Sequence, residues 1–190
     1  MSIIMRSYIS QPKGSMSCGA YSIAYYLWQT GKAQCINDRT FVADIYKKIQ
    51  VGSNNIGIHE AYSNPEKMSK ELSDNWNSHS YVCILSNSPL RKLAKGLNIS
   101  GADINVIDNV KSGVNKYAII LCSSEKSARA LHYILIKYED NTFKMLNSSA
   151  IYGNGIDNVV WENFIIESNR KLKLERDTPY IYTDAGILIE

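Results

Sequence analysis

The sequence has little net charge and no long apolar run. Its 21 Lys and Arg residues nearly balance 18 Asp and Glu residues, which leaves a formal charge of +3 over 190 residues. So small an excess does not indicate a nucleic-acid partner. No stretch approaches the roughly 18 apolar residues that a membrane-spanning helix needs, and residues 1–6 are not followed by a signal-peptide core. We therefore expect no membrane insertion and no cleaved signal peptide.

Cysteines are few, and no two of them lie close together in the sequence. Cys18, Cys35, Cys83 and Cys122 are 17, 48 and 39 residues apart, whereas zinc sites and redox motifs place two cysteines within a few residues. We therefore expect no metal, no organic cofactor and no disulfide framework. Cys83 and Cys122 lie in apolar runs typical of buried cysteines. The expected location is the cytoplasm, or secretion by a route without a cleaved signal peptide.

No linker, repeat or low-complexity segment divides the chain, so we expect a single domain over residues 1–190. Apolar residues at helical spacing dominate the first part, and strand-like runs dominate the second. Helices followed by a mostly antiparallel sheet predict the α+β class. The predicted helices cover residues 18–29 and 39–49, a third starts at Pro65 and a fourth follows Pro89; strands are predicted over residues 80–85 and 116–122.

A β-hairpin is predicted over residues 131–147, with its turn at Asp140 and Asn141. That register places His132 and Asn147 on one face of the sheet, diagonally opposite and about 7–8 Å apart. A slip of one residue would send Asn147 to the other face. Ser149 or Asp157 would then be the remaining, weaker candidates to partner the histidine.

Cys18 falls in the first turn of the predicted helix over residues 18–29. Ser17 is the expected N-cap, and Gly31 is the expected residue just past the C-terminal end. The positive end of a helix stabilises a thiolate. The sequence therefore predicts a lowered pKa for Cys18 and makes it the thiol most open to alkylation.

Cys18, His132 and Asn147 together are the groups that thiol chemistry uses. An imidazole takes the thiol proton, and a carboxamide orients the ring and selects its tautomer. Gln11 stands seven residues before Cys18, and its amide together with the Cys18 N–H would stabilise an oxyanion. Each of these residues alone has an ordinary structural interpretation, so the prediction depends on the combination.

The order Gln11, then Ser17-Cys18-Gly19-Ala20, then His132 and Asn147 resembles a papain-like cysteine peptidase of the C39-like type. The helix start at residues 63–68 follows the layout of that family as well. The resemblance implies a helical lobe that carries the nucleophile, an antiparallel lobe that carries the histidine and its partner, and acyl transfer through an acyl-enzyme. The family more often has Asp where this chain has Asn147.

Together these observations predict a cysteine-dependent amide hydrolase that acts on a protein or peptide. Cys18 attacks the carbonyl carbon, His132 transfers the proton, Asn147 orients His132 and Gln11 helps to hold the oxyanion. Two alternatives stay open. One is a protein-glutamine deamidase of the same fold, acting as an effector or toxin, and the other is a non-catalytic binding module that keeps the fold.

Overall fold

Most of the described helices lie in the first half of the chain, and most of the described strands lie in the second. The structure is a computed structural model that describes residues 7–51, 62–149, 159–174 and 178–190. No helix within those ranges is long and apolar enough to cross a membrane. The helices are α1 (Cys18–Gln29), α2 (Arg39–Ile49), α3 (Pro65–Trp76), α4 (Arg91–Gly96) and α5 (Val106–Ser112). The strands are β1 (Ser80–Ile84), β2 (Tyr117–Ser124), β3 (Ser127–Glu139), β4 (Thr142–Leu146), β5 (Glu162–Ile166), β6 (Leu172–Lys173) and β7 (Tyr180–Ile189).

Helix α1 has the predicted bounds, but its N-terminus is not capped as expected. The Ser17 side chain makes no capping hydrogen bond, because its hydroxyl group pairs with that of Ser15. Ser17 thus occupies the N-cap position as expected but does not cap the helix with its side chain, and Gly31 follows the helix with φ of +72° as expected. Helix α3 begins as predicted, since Asn64 caps it and Pro65 occupies its first turn.

The seven strands form an antiparallel sheet in the order β1-β7-β2-β3-β4-β5-β6. The predicted hairpin is strands β3 and β4, and its register is confirmed by the pair Glu139↔Thr142. Both turn residues, Asp140 and Asn141, have positive φ, of 55° and 59°, which is the conformation of a type I′ hairpin turn. The central position of β7 was not predicted. The mixed helix and sheet content is compatible with the expected α+β class.

A hydrophobic core lies on each face of the sheet. Helix α1 is buried from Cys18 to Trp28 and packs with Tyr133 and Leu135 of strand β3. The intervening residue Ile134 belongs to the second core, on the opposite face. Because side chains alternate along a strand, β3 contributes to both cores. Helix α1 therefore rests directly on the strand that carries His132.

Candidate active site

Cys18 lies where strand β4 ends and leaves one edge of β3 open. Its side chain is 7% exposed, and its Sγ accepts a hydrogen bond of 3.5 Å from the backbone N–H of Tyr133. Pairing between β3 and β4 begins only at Leu135↔Leu146. The Cys18 thiol therefore accepts a hydrogen bond from the residue that follows His132, at a position where β3 no longer pairs with β4.

His132 and Asn147 are hydrogen bonded, as the predicted register requires. The His132 Nε2 and Asn147 Oδ1 atoms are 2.8 Å apart, and both residues are buried. The approach of the imidazole to within about 4 Å of the Cys18 thiol stays a prediction. The side-chain hydrogen-bond partner of His132 is Asn147 and not Ser149. Asp157 lies outside the described residues.

A second donor fixes the orientation of the Asn147 amide. The backbone N–H of Ser149 donates to Asn147 Oδ1 at 3.0 Å. A backbone N–H can only donate, so the atom that it meets is the carbonyl oxygen of the amide. His132 Nε2 must then be the donor toward the same oxygen. The neutral imidazole therefore carries its proton on Nε2, and Nδ1 keeps a lone pair that can accept a proton.

Burial makes both titrating groups of the site neutral near pH 7. Desolvation raises the pKa of Cys18 to about 11, although hydrogen bonds from the backbone N–H groups of Tyr133 and Gly19 oppose it. Desolvation also lowers the pKa of His132 to about 4, against the effect of the Asn147 hydrogen bond. The predicted low pKa of Cys18 is therefore wrong, because burial outweighs the helix end. The arrangement pairs a neutral thiol with a neutral imidazole.

Tyr180 is a residue of the site that the sequence did not reveal. Its ring stacks on the His132 imidazole, with centroids 5.0 Å apart and planes inclined by 14°. Tyr180 begins strand β7 and reaches the site because it pairs with Ser124 of β2. No local pattern indicates that pairing. The ring restricts the rotation of the imidazole and contributes to its burial.

Gln11 is tied to the segment that carries Asn147. Its Nε2 donates to the Ser15 carbonyl oxygen at 3.0 Å, and its Oε1 accepts from the Ser148 hydroxyl group at 2.7 Å. The backbone N–H of Gln11 also donates to the Ser148 carbonyl oxygen. One N–H of the Gln11 side-chain amide thus donates to the Ser15 carbonyl oxygen. The other N–H is the one that could donate to a substrate oxyanion.

No family model, curated protein or solved structure matches this chain. Within the described ranges, no group of three or more His, Cys, Asp or Glu side chains is placed to hold a metal ion. The interpretation of the site therefore depends on its own hydrogen bonds, burial and chemistry.

Proposed function

We propose that this protein is a cysteine-dependent amide hydrolase of papain-like arrangement, with Cys18 as nucleophile and His132 as base. Two sets of hydrogen bonds support the proposal. Asn147 Oδ1, oriented by the Ser149 N–H, accepts a hydrogen bond from His132 Nε2 and leaves Nδ1 as the basic nitrogen. The residue that follows His132 donates its N–H to the Cys18 thiol. A nucleophile, a base and a group that orients the base are the parts that such chemistry needs.

The reaction would proceed through a thioester. Cys18 Sγ attacks the carbonyl carbon of the substrate while His132 Nδ1 takes the thiol proton, and the carbonyl oxygen becomes an oxyanion. The Cys18 N–H and the free amide hydrogen of Gln11 are the candidate donors to that oxyanion. The imidazolium then protonates the leaving nitrogen, the C–N bond breaks, and the acyl group stays on sulfur. Water, deprotonated by His132, hydrolyses the thioester and restores the thiol.

The pKa directions of the two groups decide when the proton moves. A thiol with its pKa raised to about 11 and an imidazole with its pKa lowered to about 4 do not form an ion pair before the substrate binds. The proton is therefore transferred during the attack on the carbonyl, which is general-base catalysis. Asn147 stabilises the imidazolium that forms, because its carbonyl oxygen faces Nε2–H.

The test is mass spectrometry of a protein lysate incubated with the wild-type chain or with Cys18→Ser. Serine keeps an acceptor for the Tyr133 N–H but removes the thiol, so the fold is retained. New peptide termini that need Cys18 would identify a peptidase, and a gain of about one dalton on glutamine would identify a deamidase. Cys35→Ser, at an exposed cysteine, is the matched control. If the wild-type and Cys18→Ser samples are identical, the proposal is wrong.

A further inference from the structure

One edge of strand β3 is open beside the candidate active site. Strand β4 pairs with β3 only from Leu135 to Glu139, and no other described strand pairs with β3 on that side. The pair Glu139↔Thr142 closes a two-residue turn, so its two residues exchange backbone hydrogen bonds. Every second residue of β3, counted back from Glu139, therefore directs its N–H and C=O groups toward that side. Tyr133 and Leu131 belong to this set.

The hydrogen bond to Cys18 agrees with this assignment. The Tyr133 N–H lies on the open edge and donates to the Cys18 Sγ atom at 3.5 Å. Leu131 is the next residue of the set, about 7 Å farther along the strand. Its N–H and C=O groups face the same edge, so they are placed to pair with an extended chain that passes the thiol.

The side chains of the same two residues line a cavity. The cavity has a volume of about 450 Å³ and lies between helix α4 and the sheet, with Leu131 and Tyr133 in its wall. Ser63 also lines it, and the Ser63 hydroxyl oxygen would lie 2.5 Å from a Cβ added to Gly19. Gly19 follows Cys18 in α1. The cavity therefore adjoins the candidate active site.

The cavity suits an apolar side chain better than a peptide backbone. Leu93 lines it and is 49% exposed, so the cavity opens to solvent. The Tyr133 hydroxyl group is already used, since it donates to the Ser63 carbonyl oxygen at 3.1 Å. Backbone N–H and C=O groups inside would lack partners, whereas a hydrocarbon side chain needs none. Aliphatic side chains form most of the wall, among them Val82, Ile84, Leu90, Leu97 and Leu121.

We propose that the substrate of Cys18 is an extended peptide that pairs antiparallel with the open edge of β3 and places one apolar side chain in this cavity. The proposal rests on the function proposed above and narrows it to peptide cleavage. One substrate residue exchanges backbone hydrogen bonds with Leu131, as in other cases of strand addition. Side chains directly opposite each other share a face of the sheet, so the side chain of that residue lies over the cavity.

The position of Leu131 also relates the apolar residue to the bond that breaks. Tyr133 marks the thiol, and Leu131 is two residues away, so the apolar side chain belongs about two residues from the attacked carbonyl. The bond that breaks is a peptide C–N bond. Water supplies the OH of the new carboxyl group and one hydrogen of the new amino group.

The first test is digestion of a proteome-derived peptide library, with the cut sites read by mass spectrometry. We expect Leu, Ile, Met or Phe to be enriched at one position about two residues from the cut bond. Ala94 lines the cavity and is buried, so Ala94→Trp should fill it and lower kcat/KM for such peptides at least about tenfold. Val114→Trp, at a 73% exposed position outside the cavity wall, should keep the wild-type preference.

A second test examines the strand pairing without altering the protein. N-methylation removes the backbone donor of one substrate residue. At the residue with the apolar side chain it should lower kcat/KM at least about tenfold, because that N–H donates to the Leu131 carbonyl oxygen. At the neighbouring residue farther from the cut bond, the N–H points away from β3, and the loss should be less than about threefold. Equal losses at both positions would overturn the pairing with Leu131.

The outcomes separate this proposal from the function on which it rests. Cleavage that needs Cys18 but shows no apolar preference would overturn the assignment of the cavity and leave the amide hydrolase intact. Deamidation of glutamine that needs Cys18, without any cleavage, would also overturn this proposal alone. Identical digests by the wild-type chain and Cys18→Ser would overturn both.

Discussion

Cys18 and the His132–Asn147 pair are all buried, but they reach the site in different ways. His132 and Asn147 are 15 residues apart and belong to one hairpin, whose tight turn sets their register. Cys18 is 115 residues from Tyr133 and is held there by the packing of α1 on the sheet. The imidazole half of the site thus depends on a local turn, whereas the thiol half depends on the core. The two halves should therefore respond differently to mutation.

The largest expected effect is a difference in activity between a variant of the nucleophile and a variant of the residue that orients the base. Cys18→Ser should lower the rate of amide cleavage at least about 10³-fold, because it removes the nucleophile, whereas Asn147→Ala should retain roughly 10–100 times more activity. Steady-state rates on a substrate found by mass spectrometry measure both. Equal losses in the two variants would contradict the assignment of Asn147 as an orienting residue.

Truncating a core side chain beneath Cys18 should lower the unfolding free energy more than truncating Cys18 itself. Leu27 is fully buried in α1, so Leu27→Ala should cost about 2–5 kcal/mol of unfolding free energy through the cavity that it creates. Cys18→Ala leaves the Tyr133 N–H without its acceptor and should cost about 1–3 kcal/mol. Urea unfolding of both variants checks the order. Greater destabilisation by Cys18→Ala would make Cys18 chiefly a structural residue.

Acid should destabilise the protein through His132. The unfolded chain takes up a proton on His132 near pH 6.5, whereas burial lowers the pKa of His132 in the folded protein to about 4. Stability is therefore lost as the pH falls from 6.5 to 4, by up to about 3 kcal/mol. Unfolding free energies at pH 7 and pH 5 should differ less in His132→Gln than in the wild-type chain. Equal pH dependence of the two proteins would contradict this role of His132.

Alkylation should distinguish the buried thiol from an accessible one. A pKa of about 11 for Cys18, compared with 9.0 for an ordinary thiol, makes its thiolate roughly 100-fold scarcer near neutral pH. Cys35 is exposed, so iodoacetamide should label Cys35 first and Cys18 at least about tenfold more slowly. Peptide mapping during labelling at pH 7.5 gives both rates. Faster labelling of Cys18 would show that the thiol is activated in solution despite its burial.

The smallest expected effect tests the local origin of the imidazole half. Asn141 has φ of 59°, so Asn141→Ala should cost about 1 kcal/mol, since alanine disfavours the left-handed conformation. Asn141→Gly should be neutral or slightly stabilising. Thermal unfolding followed by circular dichroism measures both variants. If Asn141→Ala left the thermal stability unchanged, the turn would not determine the hairpin register. The position of His132 relative to Asn147 would then not have a local origin.

Features set by nearby residues could be predicted from the sequence. The bounds of α1 and the register that joins His132 to Asn147 follow from apolar spacing and turn chemistry within single segments. The stacking of Tyr180 on His132 could not be predicted, because it needs β7 to cross the sheet and pair with β2. The direction of the Cys18 pKa shift was predicted wrongly for a related reason. A helix start is visible in the sequence, but the burial that overrides it comes from distant residues.

The central place of β7 has a consequence for synthesis of the chain on the ribosome. Strand β7 lies between β1 and β2, so the edges that these two strands present to it stay unpaired until residues 180–189 have been made. At about 5–20 residues per second, the interval after β2 has been translated lasts roughly 3–13 s. During that time two apolar strand edges are available to other nascent chains. This protein is therefore expected to need a chaperone most while residues 125–189 are being translated.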